Sequence, residues 1–376
     1  MDLRIEPVTG RELERFIRLP SRLPGRRPNY VAPLWAEERA WHDPERNPGL
    51  RAVKVVRYMA WRDKVPVGRI LGLVHAPYNE LHQERTVRFH QLDAVDDPEV
   101  VAALLDRVER WGAEQGMDRV MGPFGLSDKD PQGLQVEGFE HTPVVATPTN
   151  PAYLPALVER CGYRKHADCL SYRVEVPDKV PERYSRVARH VLSSEGLRVV
   201  PLRSRRDIKR WIVPVLDLVN QTYNELLGFI PMREDEMHKL AAAYVPLLDP
   251  ELVVVVADEA DVPMAFVVAL PDPSEGLRKA GGSLFPFGFV HVLRAMRNTR
   301  QLDLLLGAVR RDMQGRGLTG ALGMHLLEVA IRRGFKVMDS HLVLETNTAM
   351  RAQLERLGGQ VYKRYRVYGK DLGRKA

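Results

Sequence analysis

Short apolar runs alternate along this chain with longer stretches whose apolar residues recur every three or four positions, the pattern of strands interleaved with amphipathic helices. The plainest run is 302–309. Leu304, Leu305, Leu306, Ala308 and Val309 stand together and Arg310, Arg311 and Asp312 end them, which predicts a buried strand. After it Leu322, His325, Leu326, Val329 and Ala330 fall at helical spacing, Arg332 and Arg333 occupy the last turn, and Gly334 closes it. A strand over 337–344, a helix over 347–358 and a final strand over 361–368 follow. Upstream, 197–202 reads as a strand, 205–227 as a long helix, and 252–257 with 264–270 as a hairpin.

The first part of the chain repeats this plan. Residues 57–61 and 67–74 predict a hairpin, 87–92 a strand, 98–115 an amphipathic helix, and Arg119 opens another strand. Asn150 through Gly162 echoes Asn347 through Gly358, with Glu159-Arg160 matched by Glu355-Arg356. Residues 176–196, with Pro177 and Pro181 ahead of a basic helix carrying Arg183, Arg186 and Arg189, read as a linker. The expectation is an α/β protein of two tandem domains, 1–175 and 197–376, each a mixed, mostly antiparallel sheet flanked by helices.

The candidate chemistry sits between the 302–309 strand and its helix. There Gln314-Gly315-Arg316-Gly317-Leu318-Thr319-Gly320-Ala321 forms a glycine-rich turn. Glycine permits backbone conformations closed to other residues, and the free amides and dipole of a helix start favour an anion. Neither a Gly-Lys-Ser/Thr ending nor a G-x-G-x-x-G opening of a βαβ unit is present, so the two familiar nucleotide loops are set aside. The corresponding turn of the first domain is Asp93-Ala-Val-Asp96-Asp97-Pro98, acidic where the second carries glycine and arginine, and it should repel phosphate.

Residues 302–372 resemble the acyl-CoA-binding half of the GNAT superfamily of N-acyltransferases. Gln314, Gly317 and Thr319 occupy the places of the family's Gln/Arg-x-x-Gly-x-Gly/Ala loop, with Thr in place of the last small residue. Asn347, with the helix ending at Leu357-Gly358, matches its second signature. The whole chain resembles a bacterial group of tandem GNAT proteins, through Phe16 to Pro20, Gly122 to Gly125, Val136 to Phe139, and Tyr362 to Tyr368. The resemblance implies acyl-CoA, acetyl-CoA or longer, as co-substrate, held by Ala308, Val309, residues 314–321 and Asn347, and an amine acceptor, in some relatives a lipid. It also implies an oxyanion donor among the backbone amides of Gly307, Ala308 and Val309. The position where many members carry a tyrosine that protonates the leaving thiolate is Leu354 here.

Aminolysis of a thioester needs a base, an oxyanion donor and a proton for the thiolate. Glu345, at the mouth of the strand before Asn347, is a candidate base or a cap of the next helix. His341 is the other candidate base, and Tyr365, with Tyr362 and Tyr368, a candidate acid or packing residue. In the first domain, the loop with Ser127, Asp130 and Glu137, followed by His141, is either an acceptor pocket or a turn-rich connection. Two readings from other classes stand beside the enzyme: a non-catalytic acyl-CoA- or lipid-binding module, and an aminoacyl-tRNA-dependent transferase.

Charge changes this little. The net charge of +7 accompanies 56 basic and 49 acidic residues scattered along the chain, so nucleic acid is an unexpected partner. Two cysteines point to neither a disulfide framework nor a metal site, and no apolar run reaches membrane-spanning length. A cytoplasmic protein is expected. One segment qualifies that: 283–300 sets Phe289, Val292, Leu293 and Met296 against Arg294, Arg297 and Arg300, after Leu284, Phe285 and Phe287. It reads either as a contact with the inner membrane face or as a helix packed on the core.

Overall fold

The computed structural model describes residues 2–24 and 29–373. The first half runs β1 (Leu3–Pro7), α1 (Leu13–Arg18), α2 (Trp35–Trp41), β2 (Val53–Arg62), β3 (Val65–His75), α3 (Ala76–Leu81) and β4 (Thr86–Ala94). It continues with α4 (Pro98–Glu114), β5 (Arg119–Gly122), β6 (Leu134–Glu137), α5 (Leu154–Arg160) and β7 (Arg164–Glu175). Then come α6 (Glu182–Ser194), β8 (Arg198–Val199), α7 (Arg205–Thr222), α8 (Glu234–Tyr244), β9 (Val253–Ala257) and β10 (Pro263–Pro271). The last part is α9 (Ser274–Ala280), α10 (Gly288–Asn298), β11 (Gln301–Val309), α11 (Leu318–Arg332), β12 (Val337–Asp339), β13 (Val343–Leu344), α12 (Thr348–Arg356) and β14 (Gln360–Asp371).

Local chemistry explains where the main helices begin. Ser204 and Asp207 form a capping box at α7, and Asp97 accepts from the Glu99 amide ahead of Pro98 at α4. Asn347 caps α12 by accepting from the Met350 amide at 3.1 Å.

All strands join one mixed sheet in the order β1-β2-β3-β4-β5-β14-β7-β12-β11-β10-β9-β8, with β6 on β14 and β13 on β7. The two halves therefore exchange their last strands. β14 lies between β5 and β7, pairing Tyr368 with Gly122 and Tyr365 with Cys169, while β7 lies between β14 and β12, pairing Val174 with Met338. A boundary between 175 and 197 thus divides the chain without dividing the sheet.

The segment read as a linker is mostly α6, and it is packed. Ala188 and Val191 are buried with Val254, Val256, Met313, Leu318 and Ala321, and burying one such valine contributes about 1.5–3 kcal/mol. The strand expected over 337–344 is broken at Ser340 to Leu342. There Ser340 bonds to Tyr172 through both amide and hydroxyl, and His341 takes a φ of 55°.

Candidate active site

In the second half, β11 and β12 run parallel only over Gln301–Asp303 and Val337–Asp339. Beyond Asp339 the chain bonds to β7, through Ser340 on Tyr172 and Val343 opposite Leu170, while β11 continues against β10. A wedge opens between them. On β11, Leu304 faces Ala269 and Leu306 faces Val268, so Leu305 is the extra residue of a bulge. A bulged residue leaves the ladder, and its backbone is freed for another partner.

The far end of β11 leads to the glycine turn. Gly315 and Gly317 have φ of 77° and 97°, and no atom lies within 4 Å of the place a Gly315 Cβ would take. The N–H groups of Gly315, Gly317, Leu318 and Thr319 have no backbone acceptor among the described residues. Leu318 and Ala321 turn their side chains into the core, so what they offer is backbone. A side chain at Gly317 would put its Cβ 2.9 Å from Val187 of α6. The loop's cations are tethered: Arg316 to Glu195 at 3.0 Å, Arg311 to Glu225 at 3.0 Å, Arg310 to Asp312 at 2.7 Å. Gln314 donates to the Val309 carbonyl at 3.2 Å.

The apex of the wedge is acidic. Asp303 and Asp339 are adjacent in register and fully buried, and Asp272, at the end of β10, lies beside them. The buried Lys363 of β14 approaches Asp339 at 4.0 Å and donates to the Thr142 carbonyl at 3.1 Å. Tyr362 donates to Asp339, and the His341 amide donates to it at 2.8 Å. Asp303 accepts from Gln301 at 2.9 Å through one oxygen, and its other oxygen, Oδ2, has no partner among the described residues.

Three carboxylates share one ammonium out of water, so they cannot all stay charged. Desolvation, then Asp272 and Asp339, hold the Asp303 carboxyl well above the usual range. Burial likewise raises Asp272 and lowers Lys363.

The expected site residues divide. His341 belongs to the apex. Its Nε2 is 3.0 Å from the Val145 carbonyl, which can only accept, so Nε2 carries the proton and Nδ1 holds the lone pair. Burial keeps that ring neutral. His141 reaches the apex edge-on to Tyr362, with ring centroids 4.9 Å apart.

Tyr365 is fully buried on β14 beside Thr147, and its ionisation is pushed well above the ordinary tyrosine value. Glu345 is engaged elsewhere: its carboxylate accepts from Lys165 at 2.6 Å and from the Asp168 amide at 3.0 Å. Asn347 spends its side chain as a cap, and Leu354 packs in the core.

The first-half loop is not brought to the acids. Asp130 accepts from Trp41 at 2.9 Å and from the Leu126 amide at 2.6 Å, the Ser127 hydroxyl accepts from the Lys129 amide at 3.3 Å, and the exposed Glu137 pairs with Arg364. This loop instead holds the α7–α8 connection, the Asp128 amide donating to the Gly228 carbonyl at 3.2 Å.

No protein-family model matches the chain. Protein YghO of Escherichia coli (strain K12) is 31% identical over 372 residues, 96% of this chain and 93% of that protein. The bacterial ceramide synthase of Caulobacter vibrioides (strain NA1000 / CB15N) is 31% identical over 384 residues, 99% of this chain and 98% of that one. A tandem GNAT protein from the clavulanic acid biosynthesis pathway matches over the full length of both chains, with TM-score 0.53 and 12% identity. A GCN5-related N-acetyltransferase from Sphaerobacter thermophilus matches over 98% of this chain and 96% of its own, with TM-score 0.51 and 14% identity. The chain belongs to one family with these two relatives, and its fold is that of the tandem GNAT proteins.

The GNAT frame puts the wedge, the bulge and the glycine turn in one line along β11. Sequence reasoning missed Asp272, Asp303, Asp339 and Lys363. Asp303 left a signal, a carboxylate inside the run Leu302 to Leu306, because an acid in an otherwise buried strand needs a partner or a task. Among the described residues no group of three or more His, Cys, Asp or Glu side chains is arranged to hold a metal, and no helix is long and apolar enough to cross a membrane.

Proposed function

We propose that this GNAT protein is an acyl-CoA-dependent N-acyltransferase acting on the amine of a long-chain lipid. The observation that carries the reading is the pairing of two features joined by β11: the open amides of Gly315, Gly317, Leu318 and Thr319 in the turn beyond it and the buried acids at Asp303. Four residue steps of strand, roughly 13 Å at ~3.3 Å each, separate the bulge from the strand end at Val309. An extended arm joining a phosphate to a thioester fits along them. The name of the Caulobacter relative supports the lipid acceptor, because a ceramide is the amide of a fatty acid and a long-chain amino alcohol.

In this reading the turn amides of Gly315, Gly317, Leu318 and Thr319 bind the pyrophosphate of acyl-CoA. An incoming ammonium supplies the positive charge the acid cluster lacks. A carboxyl raised toward working pH accepts a proton from that ammonium, and Asp303 Oδ2 is the acceptor. The nitrogen lone pair then attacks the thioester carbonyl carbon, and the freed N–H groups at the Leu305 bulge face the oxyanion. As the C–S bond breaks, the nitrogen's second proton ends on sulfur, leaving an amide and the CoA thiol. His341 and Tyr362 position Asp339 beside Asp303. The base thereby moves from Glu345, tied to Lys165, to the apex.

The test is thiol release from acyl-CoAs of increasing chain length, with a long-chain amino alcohol or without any amine. Release that depends on the amine and grows with chain length is expected. Acyl-CoA binding without amine-dependent release at any length would leave a binding module in its place.

A further inference from the structure

Between β10 and β11 a short turn would suffice, yet residues 272–300 build the helical pair α9 and α10. The two helices touch through Gly276, where a Cβ would lie 2.5 Å from the Val292 Cα. The pair is braced on the first half, the Trp35 amide donating to the Gly282 carbonyl at 2.9 Å. It is therefore a fixed element rather than a loose loop.

Its outer side is apolar. Phe285 is 78% exposed, Phe287 71%, Leu293 55%, Val290 46% and Phe289 41%. These are five of the twelve large exposed apolar side chains among the described residues, gathered within nine positions. A contiguous exposed patch of this kind marks an interaction surface. Arg294, Arg297 and Arg300 lie beside it, and Val290, Leu293, Arg294, Arg297 and Asn298 line an open cavity of about 630 Å³. Arg278 and Lys279 add two more cations, and Glu275, which pairs with both, is the sole acid of the insert beyond its first residue.

The roots of the insert lie at the acid apex. Asp272 opens it and Gln301 follows it; the Asp272 amide donates to the Gln301 carbonyl at 3.1 Å, and Gln301 donates to Asp303. The apolar tip and the acid cluster thus belong to one continuous segment.

We infer that this tip docks on a bilayer surface bearing anionic lipid, with Phe285, Phe287 and Phe289 entering the acyl boundary and the arginines meeting phosphates. The inference rests on the lipid-amine reading: an acceptor whose tail stays in the bilayer presents its amine to Asp303 beside the docked hairpin.

Vesicle flotation tests it, with phosphatidylcholine vesicles and with phosphatidylcholine vesicles carrying phosphatidylglycerol. The full-length protein floats with the anionic vesicles, and Phe285→Ser/Phe287→Ser lowers bound protein at least tenfold. Arg294→Glu/Arg297→Glu removes the preference for the anionic vesicles. Both variants keep thiol release with a short water-soluble amine, so loss of docking and loss of acyl transfer are read separately. Wild-type protein that stays unbound with anionic vesicles overturns the proposal. So does a wild-type dimer in sedimentation that Phe285→Ser/Phe287→Ser dissociates, which would give the face to a second copy.

Discussion

The two halves of this GNAT-fold protein have the same wedge and treat it in opposite ways. In the first, β4 and β5 pair over Thr86–Arg88 and Arg119–Met121, and β4 carries its own bulge, Ile70 facing both Gln91 and Leu92, with Gln91 at a φ of 48°. After β5, however, the chain folds back: the Phe124 amide donates to the Phe89 carbonyl at 2.8 Å, and Arg88 stacks on Phe124. After β12 the chain leaves β11 and bonds to β7 instead. At the next helix, Asp97 fills the amide site of α4 with the protein's own carboxylate and is held by Arg62 at 2.6 Å, whereas α11 begins at a glycine with open amides. The duplicated frame survives in both halves, and a few residues beyond each wedge decide whether a ligand can enter.

The first half still works for the second. Its carbonyls at Thr142 and Val145 roof the acid apex, and its Asp128 amide holds the α7–α8 connection. The contrast is best broken at Gly317. Gly317→Glu adds a side chain against Val187, at a backbone conformation rare for non-glycine residues, and a negative charge in the cradle. It is expected to weaken acyl-CoA binding by more than about 100-fold, measured by native mass spectrometry or calorimetry.

Asp303→Asn comes next. It is expected to slow turnover about 100-fold while acyl-CoA affinity stays as it was, the size associated with losing a positioned base. Equal losses in binding and rate would remove Asp303 from that role.

The same variant sharpens the comparison through pH. Asp303 holds its proton more tightly folded than unfolded, so its contribution to stability is fully present below the unfolded carboxyl pKa of about 4 and is lost as pH rises through the raised folded value. Thermal melts across pH should show wild type declining over that window and Asp303→Asn declining less.

In the first half, Asp97→Ala removes a cap and should cost about 1 kcal/mol by denaturant melt with turnover unchanged. The smallest effect is expected at Glu345→Gln, where thiol release should fall by no more than about threefold, because the side chain serves an exposed pair with Lys165.

Much of the frame was legible from local pattern. β11, α11, α4 and the β2–β3 hairpin follow from apolar spacing and capping residues, and the glycine turn announced itself by composition. What escaped was non-local. The exchange of β7 and β14 joins Arg173 with Gln360 and Cys169 with Tyr365, pairings that no window of sequence contains. The apex gathers Asp272, Asp303, Asp339 and Lys363 from on or beside four separate strands, each looking alone like an ordinary polar residue. The packing of the basic helix α6 was hidden because, among its described side chains, only Ala188 and Val191 are buried.

The exchange of final strands also sets a timetable for synthesis. β7 leaves the ribosome about 185 residues before β14, so the slot between β5 and β7 stands unfilled through the making of the second half. At roughly 5–20 residues per second that wait lasts about 10–40 s. Throughout it the nascent chain presents two bare strand edges, open to a chaperone or to the same edges on a neighbouring nascent chain.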